Sequence, residues 1–413
     1  MLLDLIELTT ASIYLTSLSS REITTLSHHP TRGLTSNKPD GTKVTTADLR
    51  SQHIITSGLR LKFGGSPSCP RIVGEEDKSS GIDSNPNPNS DIFSDIDIAN
   101  IFSDTSLYSS IKTEITKRTP PSPSFNTLYD ASKLSIFIDP LDGTKHYAEG
   151  SWDEVTTLIG ITYENTPILG ICARPFTPSS VGVDAHECPF TIYGGVGVNG
   201  AYTLGAEGGA GERERERESE SESESESISE SISESECQTK FFAPFSLNEH
   251  PVLTNSVNCS LLAARFASPS VSARTIENSE RTAVVSLRGA ANPLTRRMLS
   301  NVDSSLLSST PVVVGGAGSK ILRLLLGQEG ETVWPFPSSG TSLWDVCAAD
   351  AILSSVGGKV TDGDGNKIDY LEEGKNFEMR EGVVASLCPM VHEECMRVLR
   401  EIREEEKEKE ERG

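Results

Sequence analysis

The sequence predicts a mixture of helices and strands, and three observations carry that reading. Two N-terminal segments place apolar residues at helical spacing. Short β-rich runs bounded by turn residues follow them. Beyond residue 280 a second set of strand and helix patterns appears. With 413 residues, the chain can form two domains or one large two-part enzyme.

The elements follow in order. Leu5, Leu8, Leu15 and Leu18, with Ile6 and Ile13 beside them, predict an amphipathic helix within residues 2–27. A second helix runs from about Thr46 to Phe63 on Leu49, Ile54, Ile55, Leu59 and Leu61. Thr45 or Thr46 caps its start, and Gly64 and Gly65 stop it. Ile72-Val73 reads as a short strand entering Gly74-Glu75-Glu76-Asp77. Residues 78–125 are rich in Ser, Asn, Asp and Pro and read as an irregular excursion. Leu134–Asp139 is a strand that ends in a turn. Residues 155–163 and 167–174 form two β-rich runs, joined as a hairpin by Glu164-Asn165-Thr166.

Residues 207–237 pass from Glu-Arg alternation into Ser-Glu repeats, with 12 Glu against 3 Arg. Such a segment cannot bury a core and is expected to be a disordered, solvated insert. After it, Val284–Leu287 and Val312–Val314 read as strands and Ser319–Leu326 as a helix. Trp344–Val356 is a helix stopped by Gly357-Gly358, and the charge-dense tail from Arg400, residues 401–413 included, is a solvated helix end or a frayed terminus.

Composition narrows the function. A net charge of -22 argues against a nucleic-acid polymer as partner and against docking on an anionic membrane. A small phosphorylated metabolite stays open, because a bound divalent cation inverts the local field. The eight cysteines form no CxxC pair, so reduced thiols are expected; Cys172, Cys347 and Cys388 sit in apolar stretches. The seven histidines show no zinc spacing, and the adjacent His28 and His29 read as solvated. The N-terminus lacks the basic region of a signal peptide, and no run approaches a membrane span. A soluble, cytoplasmic monomer is the expectation.

The chemistry concentrates in Asp139-Pro140-Leu141-Asp142-Gly143-Thr144, where a strand delivers two carboxylates across a turn. Pro140 stiffens the turn, and Gly143 admits a ligand close to the backbone. Hard divalent cations favour such oxygen-rich clusters. Gly74-Glu75-Glu76-Asp77 places further carboxylates at another strand end, and Asp345 opens the helix at Trp344. Each feature alone has a plainer reading: a common turn, a solvated acidic loop, a helix cap. Their order along the chain, beginning with Asp48 in the second helix, is more informative than any one.

That ordered set resembles the inositol monophosphatase superfamily of lithium-sensitive, magnesium-dependent phosphatases. Asp139–Gly150, Val155–Gly170, Gly315–Lys320 and Trp344–Tyr370 are similar to its 3'(2'),5'-bisphosphate nucleotidase branch. The resemblance implies a layered α/β/α/β/α sandwich. An N-terminal α+β part would span residues 1–176 and a C-terminal α/β part residues 177–400, with the active site between them. It implies hydrolysis of adenosine 3',5'-bisphosphate to AMP and phosphate; inositol polyphosphate 1-phosphatase activity, or a related phosphatase activity, is the alternative. It implies two or three magnesium ions, held by Glu75, Asp139, the Leu141 carbonyl, Asp142 and Asp345. Asp48 and Thr144 would orient and deprotonate the attacking water. Gly143, Thr144, Gly316, Lys320 and Asp345 would contact substrate. Where the nucleotidases carry a Ser-His-Ser-type stretch, this chain reads Arg288-Gly289-Ala290-Ala291-Asn292, with Ala290 at the histidine position.

Overall fold

Every residue of Leu134–Asp142 (β2) is buried, as expected of a strand covered on both faces of its sheet. A computed structural model shows how. It describes residues 1–28, 36–38, 43–64, 69–77, 92–119, 128–176, 190–204, 281–326, 330–371 and 377–412.

The strand belongs to a six-stranded mixed sheet. Its members are Arg71–Gly74 (β1), β2, Thr156–Tyr163 (β3), Thr166–Arg174 (β4), Phe190–Gly195 (β5) and Gly200–Leu204 (β6). They lie in the order β6-β5-β4-β3-β2-β1; β1 and β2 run parallel and every other pair antiparallel. The side-chain period of two sorts each strand between two cores. Ile136, Ile138, Ile159, Ile161 and Ile171 face one core, and Phe137, Leu158, Cys172 and Ile192 face the other.

Three helices cover the first face: Leu5–Ser27 (α1), Thr46–Phe63 (α2) and Thr105–Arg118 (α3). Asp4 caps α1, accepting from the Ile6 N–H at 2.7 Å. Thr45 and Asp48 form a reciprocal capping box at the start of α2. The short helix Thr144–Glu149 (α4) follows β2 directly.

The second sheet gathers Thr282–Val285 (β7), Val312–Val313 (β8), Glu331–Phe336 (β9), Lys359–Asp362 (β10) and Val383–Ser386 (β11), in the order β8-β7-β9-β11-β10. Leu287–Ala291 (α5) and Pro293–Asn301 (α6) connect β7 to β8. Ala317–Leu326 (α7) and Leu343–Ser355 (α8) lie between the two sheets. Pro389–Arg412 (α9) and α6 cover the outer face of the second sheet. The layers therefore run helix, sheet, helix, sheet, helix, which is the expected five-layer sandwich.

Several expectations change in detail. The stretch read as irregular at 78–125 holds α3, whose Leu107, Ile111 and Ile115 bury one stripe under a polar exterior. A division at Phe176 would cut the first sheet, because β5 and β6 continue it to Leu204. Of the two readings of the charged tail, the solvated helix end holds, with α9 helical to Arg412. The Ser-Glu insert at 207–237 lies outside the described residues, as does His29. Cys172, Cys347 and Cys388 are buried thiols. No helix among the described residues is long and apolar enough to cross a membrane.

Candidate active site

Several of the candidate residues lie at or near the end of β2. There the strand leaves its ladder: Asp139 pairs with Leu158 and Asp142 with Thr156, so Pro140 and Leu141 both lie opposite Thr157. This bulge turns successive groups toward one side. Asp139 is buried, and its Oδ1 accepts the Leu141 N–H at 3.1 Å.

Asp142 reaches across to the layer between the sheets. It accepts from Thr156 Oγ1 at 2.8 Å, from the Ala317 N–H at 2.9 Å and from the Gly318 N–H at 2.7 Å. It therefore caps α7, a helix far away in sequence, and meets the positive end of that helix. Gly316, just before α7, adopts a φ of 57°, and a Cβ there would lie 2.6 Å from Asp142 Oδ2. Only glycine permits both the backbone angle and the close approach. Its carbonyl accepts the Lys320 ammonium, which is buried and lies 5.5 Å from the Trp334 ring.

Asp345 opens α8 and accepts the Ser342 N–H at 2.7 Å. The plainer reading, a cap, is thus correct as local structure, and the same carboxylate lies within the field of Asp139.

Asp48 is fully buried on α2. One oxygen accepts from Thr45, whose Oγ1 lies at 2.5 Å and whose N–H lies at 2.8 Å. The other accepts from Thr144 Oγ1 at 2.7 Å, joining α2 to the first residue of α4. The Leu141 carbonyl also lies 3.1 Å from Thr144 Oγ1. The hydroxyl has one proton, and the shorter, charge-assisted bond to Asp48 is the stronger. Gly143 stands at the N-cap of α4.

Three supporting residues escaped sequence reasoning. Lys38 bonds Glu75 at 2.6 Å and Glu76 at 2.7 Å. Gln52 on α2 accepts the Glu76 N–H at 2.8 Å and donates to Asp77 at 3.0 Å, which fixes the acidic turn. Glu154 accepts the Gly315 N–H, with His146 Nε2 at 3.4 Å. All three contacts are nonlocal, and no short-range pattern marks them.

Charge is concentrated here. Burial, followed by Glu75, Asp142 and Asp345, holds the Asp139 carboxyl well above the usual carboxylate range. Desolvation pushes Asp345 up to about 7, with Glu75 and Asp142 adding to it. Asp48 rises to about 6, mainly by burial and against the hydrogen bonds from Thr45 and Thr144. Burial lowers Lys320 to about 8. Burial also disfavours the Lys38 ammonium, but Glu75 and Glu76 outweigh it and raise its pKa above the ordinary value.

Oxygen donors crowded to mutual repulsion fit a hard divalent cation, which would relieve that repulsion. As they stand, no three acidic, histidine or cysteine side chains among the described residues are grouped to hold a metal. Glu75 is turned to Lys38, Asp142 to the start of α7 and Asp345 to Ser342.

The fold is thus a five-layer α/β sandwich with buried carboxylates on α2 and at the end of β2. The family model described as "Inositol monophosphatase family" matches residues 7–404, and the chain belongs to that family. Its activity is accordingly that of a phosphoric monoester hydrolase. The chain is 30% identical to 3'(2'),5'-bisphosphate nucleotidase 1 of Homo sapiens, over 83% of this chain and 78% of that protein. It is also 30% identical to the Mus musculus protein of the same name, over 65% of this chain and 62% of that protein. Extragenic suppressor protein suhB from Bartonella henselae aligns at 12% identity and a TM-score of 0.48, over 95% of this chain and 97% of that one.

Proposed function

We propose that this protein is a magnesium-dependent phosphomonoesterase that removes the 3'-phosphate of adenosine 3',5'-bisphosphate, giving AMP and phosphate. The observation that carries the reading is the 2.7 Å hydrogen bond from Thr144 to Asp48, set beside Asp139 and Asp142. Glu75, Asp139, the Leu141 carbonyl, Asp142 and Asp345 would hold two or three magnesium ions. Magnesium would supply Lewis-acid polarisation of the phosphate and a lowered pKa for bound water.

The chain's own residues do the rest. With its proton directed to Asp48, Thr144 Oγ1 keeps its lone pairs for a water placed against the phosphorus. As the water's oxygen bonds to phosphorus, the bond from phosphorus to the 3'-oxygen breaks; the water's proton passes to Thr144 and the Thr144 proton to Asp48, while the departing 3'-oxygen takes a proton from solvent and leaves as the hydroxyl of AMP. A carboxylate raised to about 6 suits that acceptor role near neutral pH. Lys320, Gly316, Gly143, Thr144 and Asp345 would hold the phosphate and its ester oxygen. The nucleotide preference rests on relatives named for that activity.

A second reading, an inositol polyphosphate 1-phosphatase, is favoured by one observation. In α5, Ala290 offers no ring or hydrogen-bonding side chain, and Arg288 is committed to the Gly340 carbonyl and the Phe336 ring. The test is phosphate release from adenosine 3',5'-bisphosphate, inositol 1,4-bisphosphate, inositol 1-phosphate and fructose 1,6-bisphosphate, with and without magnesium. The nucleotide should give the highest kcat/KM, and only with magnesium. A tenfold advantage for an inositol phosphate, about 1.4 kcal/mol, would establish the second reading instead.

A further inference from the structure

The Pro140 carbonyl sits at the bulge of β2. Two hydroxyls converge on it. Ser51 Oγ on α2 donates to it at 2.8 Å, and Thr157 Oγ1 on β3 donates at 3.0 Å. Both side chains belong to fully buried residues. Ser51 has thereby committed its one proton, so the close Ser19 Oγ on α1 must donate to Ser51 Oγ. A hydroxyl chain thus runs from α1 through α2 to the bulge.

The carbonyl of Pro140 and the N–H of Leu141 share one rigid peptide plane. On the opposite edge of that plane, the Leu141 N–H donates to Asp139 Oδ1 at 3.1 Å. The hydroxyls therefore fix one edge, and the other edge aims the Asp139 carboxylate. The same plane leads into the Leu141 carbonyl. A rotation of this peptide would displace both proposed ligands together.

We infer that Ser51 and Thr157, backed by Ser19, are positioning residues that set magnesium affinity by fixing the Pro140–Leu141 peptide; this rests on the phosphatase reading above. They touch neither substrate nor metal.

The experiment is calorimetric titration of magnesium alone into full-length wild type, Thr157→Val, Thr157→Ser and Ser51→Ala, without substrate, with melting of the metal-free proteins measured in parallel. Valine keeps the shape of threonine and loses the donor; serine keeps the donor. Loss of an outer-shell partner commonly weakens metal binding about 10- to 100-fold. Thr157→Val and Ser51→Ala should each show a loss in that range, while Thr157→Ser stays close to wild type. Magnesium affinity for folded Thr157→Val equal to that of wild type would overturn the inference. So would equal losses in Thr157→Val and Thr157→Ser, because the donor would then be irrelevant. A wild type that binds no magnesium would overturn the phosphatase reading as well, which separates the two failures.

Discussion

His392 on α9 makes the outer core of the second sheet sensitive to acid. The residue is 1% exposed, and its Nε2 lies 3.0 Å from Thr361 Oγ1. Burial, followed by the nearby Lys359, lowers its pKa from 6.5 to about 4. The folded state therefore resists a proton that the unfolded chain accepts. The associated stability is fully present above pH 6.5 and is lost as pH falls toward 4. Each unit in that window is worth about 1.4 kcal/mol, so the step from pH 6.5 to pH 5 removes about 2 kcal/mol. Many carboxylates also titrate there, so His392→Gln is the reference. Urea unfolding of both proteins at pH 7 and pH 5 measures the difference. The wild type should lose about 2 kcal/mol more than the variant across that interval. Equal losses would show that His392 is protonated at no cost and would refute the reasoning.

Thr144→Ala should lower kcat about 10²- to 10⁴-fold with little change in KM, because it removes the group that positions the water; steady-state phosphate release checks this. Tyr370→Phe removes the donor that meets the buried Asp350 at 2.9 Å and should cost about 1–3 kcal/mol in urea unfolding. Gly316→Ala forces a side chain into a left-handed backbone and against Asp142, so phosphate release should fall at low magnesium and recover in part as magnesium is raised.

The parts of this molecule legible in the sequence were those written locally. The helix over Thr46–Phe63 was bounded by its cap and its glycines, and the structure starts and ends it at those residues. The hairpin was carried by Glu164-Asn165, where both residues adopt positive φ. The Asp139–Thr144 string was recognisable because its spacing is fixed by one turn. By contrast, β5 and β6 are short, carry Gly194 and Gly195 at their junction, and exist through pairing with β4. Helix α3 hid within polar sequence because only three of its residues are buried. Thr45 and Asp48 were readable as a helix start, yet nothing local announced that the free oxygen of Asp48 meets Thr144, 96 positions away. Lys38 was equally silent, since its partners lie 37 and 38 residues away in the folded turn.

The middle helical layer has a consequence for how activity is acquired and lost. Helix α8 lies so close to the first sheet that a Cβ at Gly160 would fall 2.5 Å from Cys347 Sγ, and one at Gly170 would strike the Ala348 carbonyl. Its other side packs on β10 and β11 of the second sheet. Asp345, at its first turn, is thus placed by two sheets that are built from distant halves of the chain. Neither sheet can present the complete carboxylate cluster by itself. If the proposed carboxylate set is the active site, both sheets must be in place for turnover, and disruption of either would abolish it.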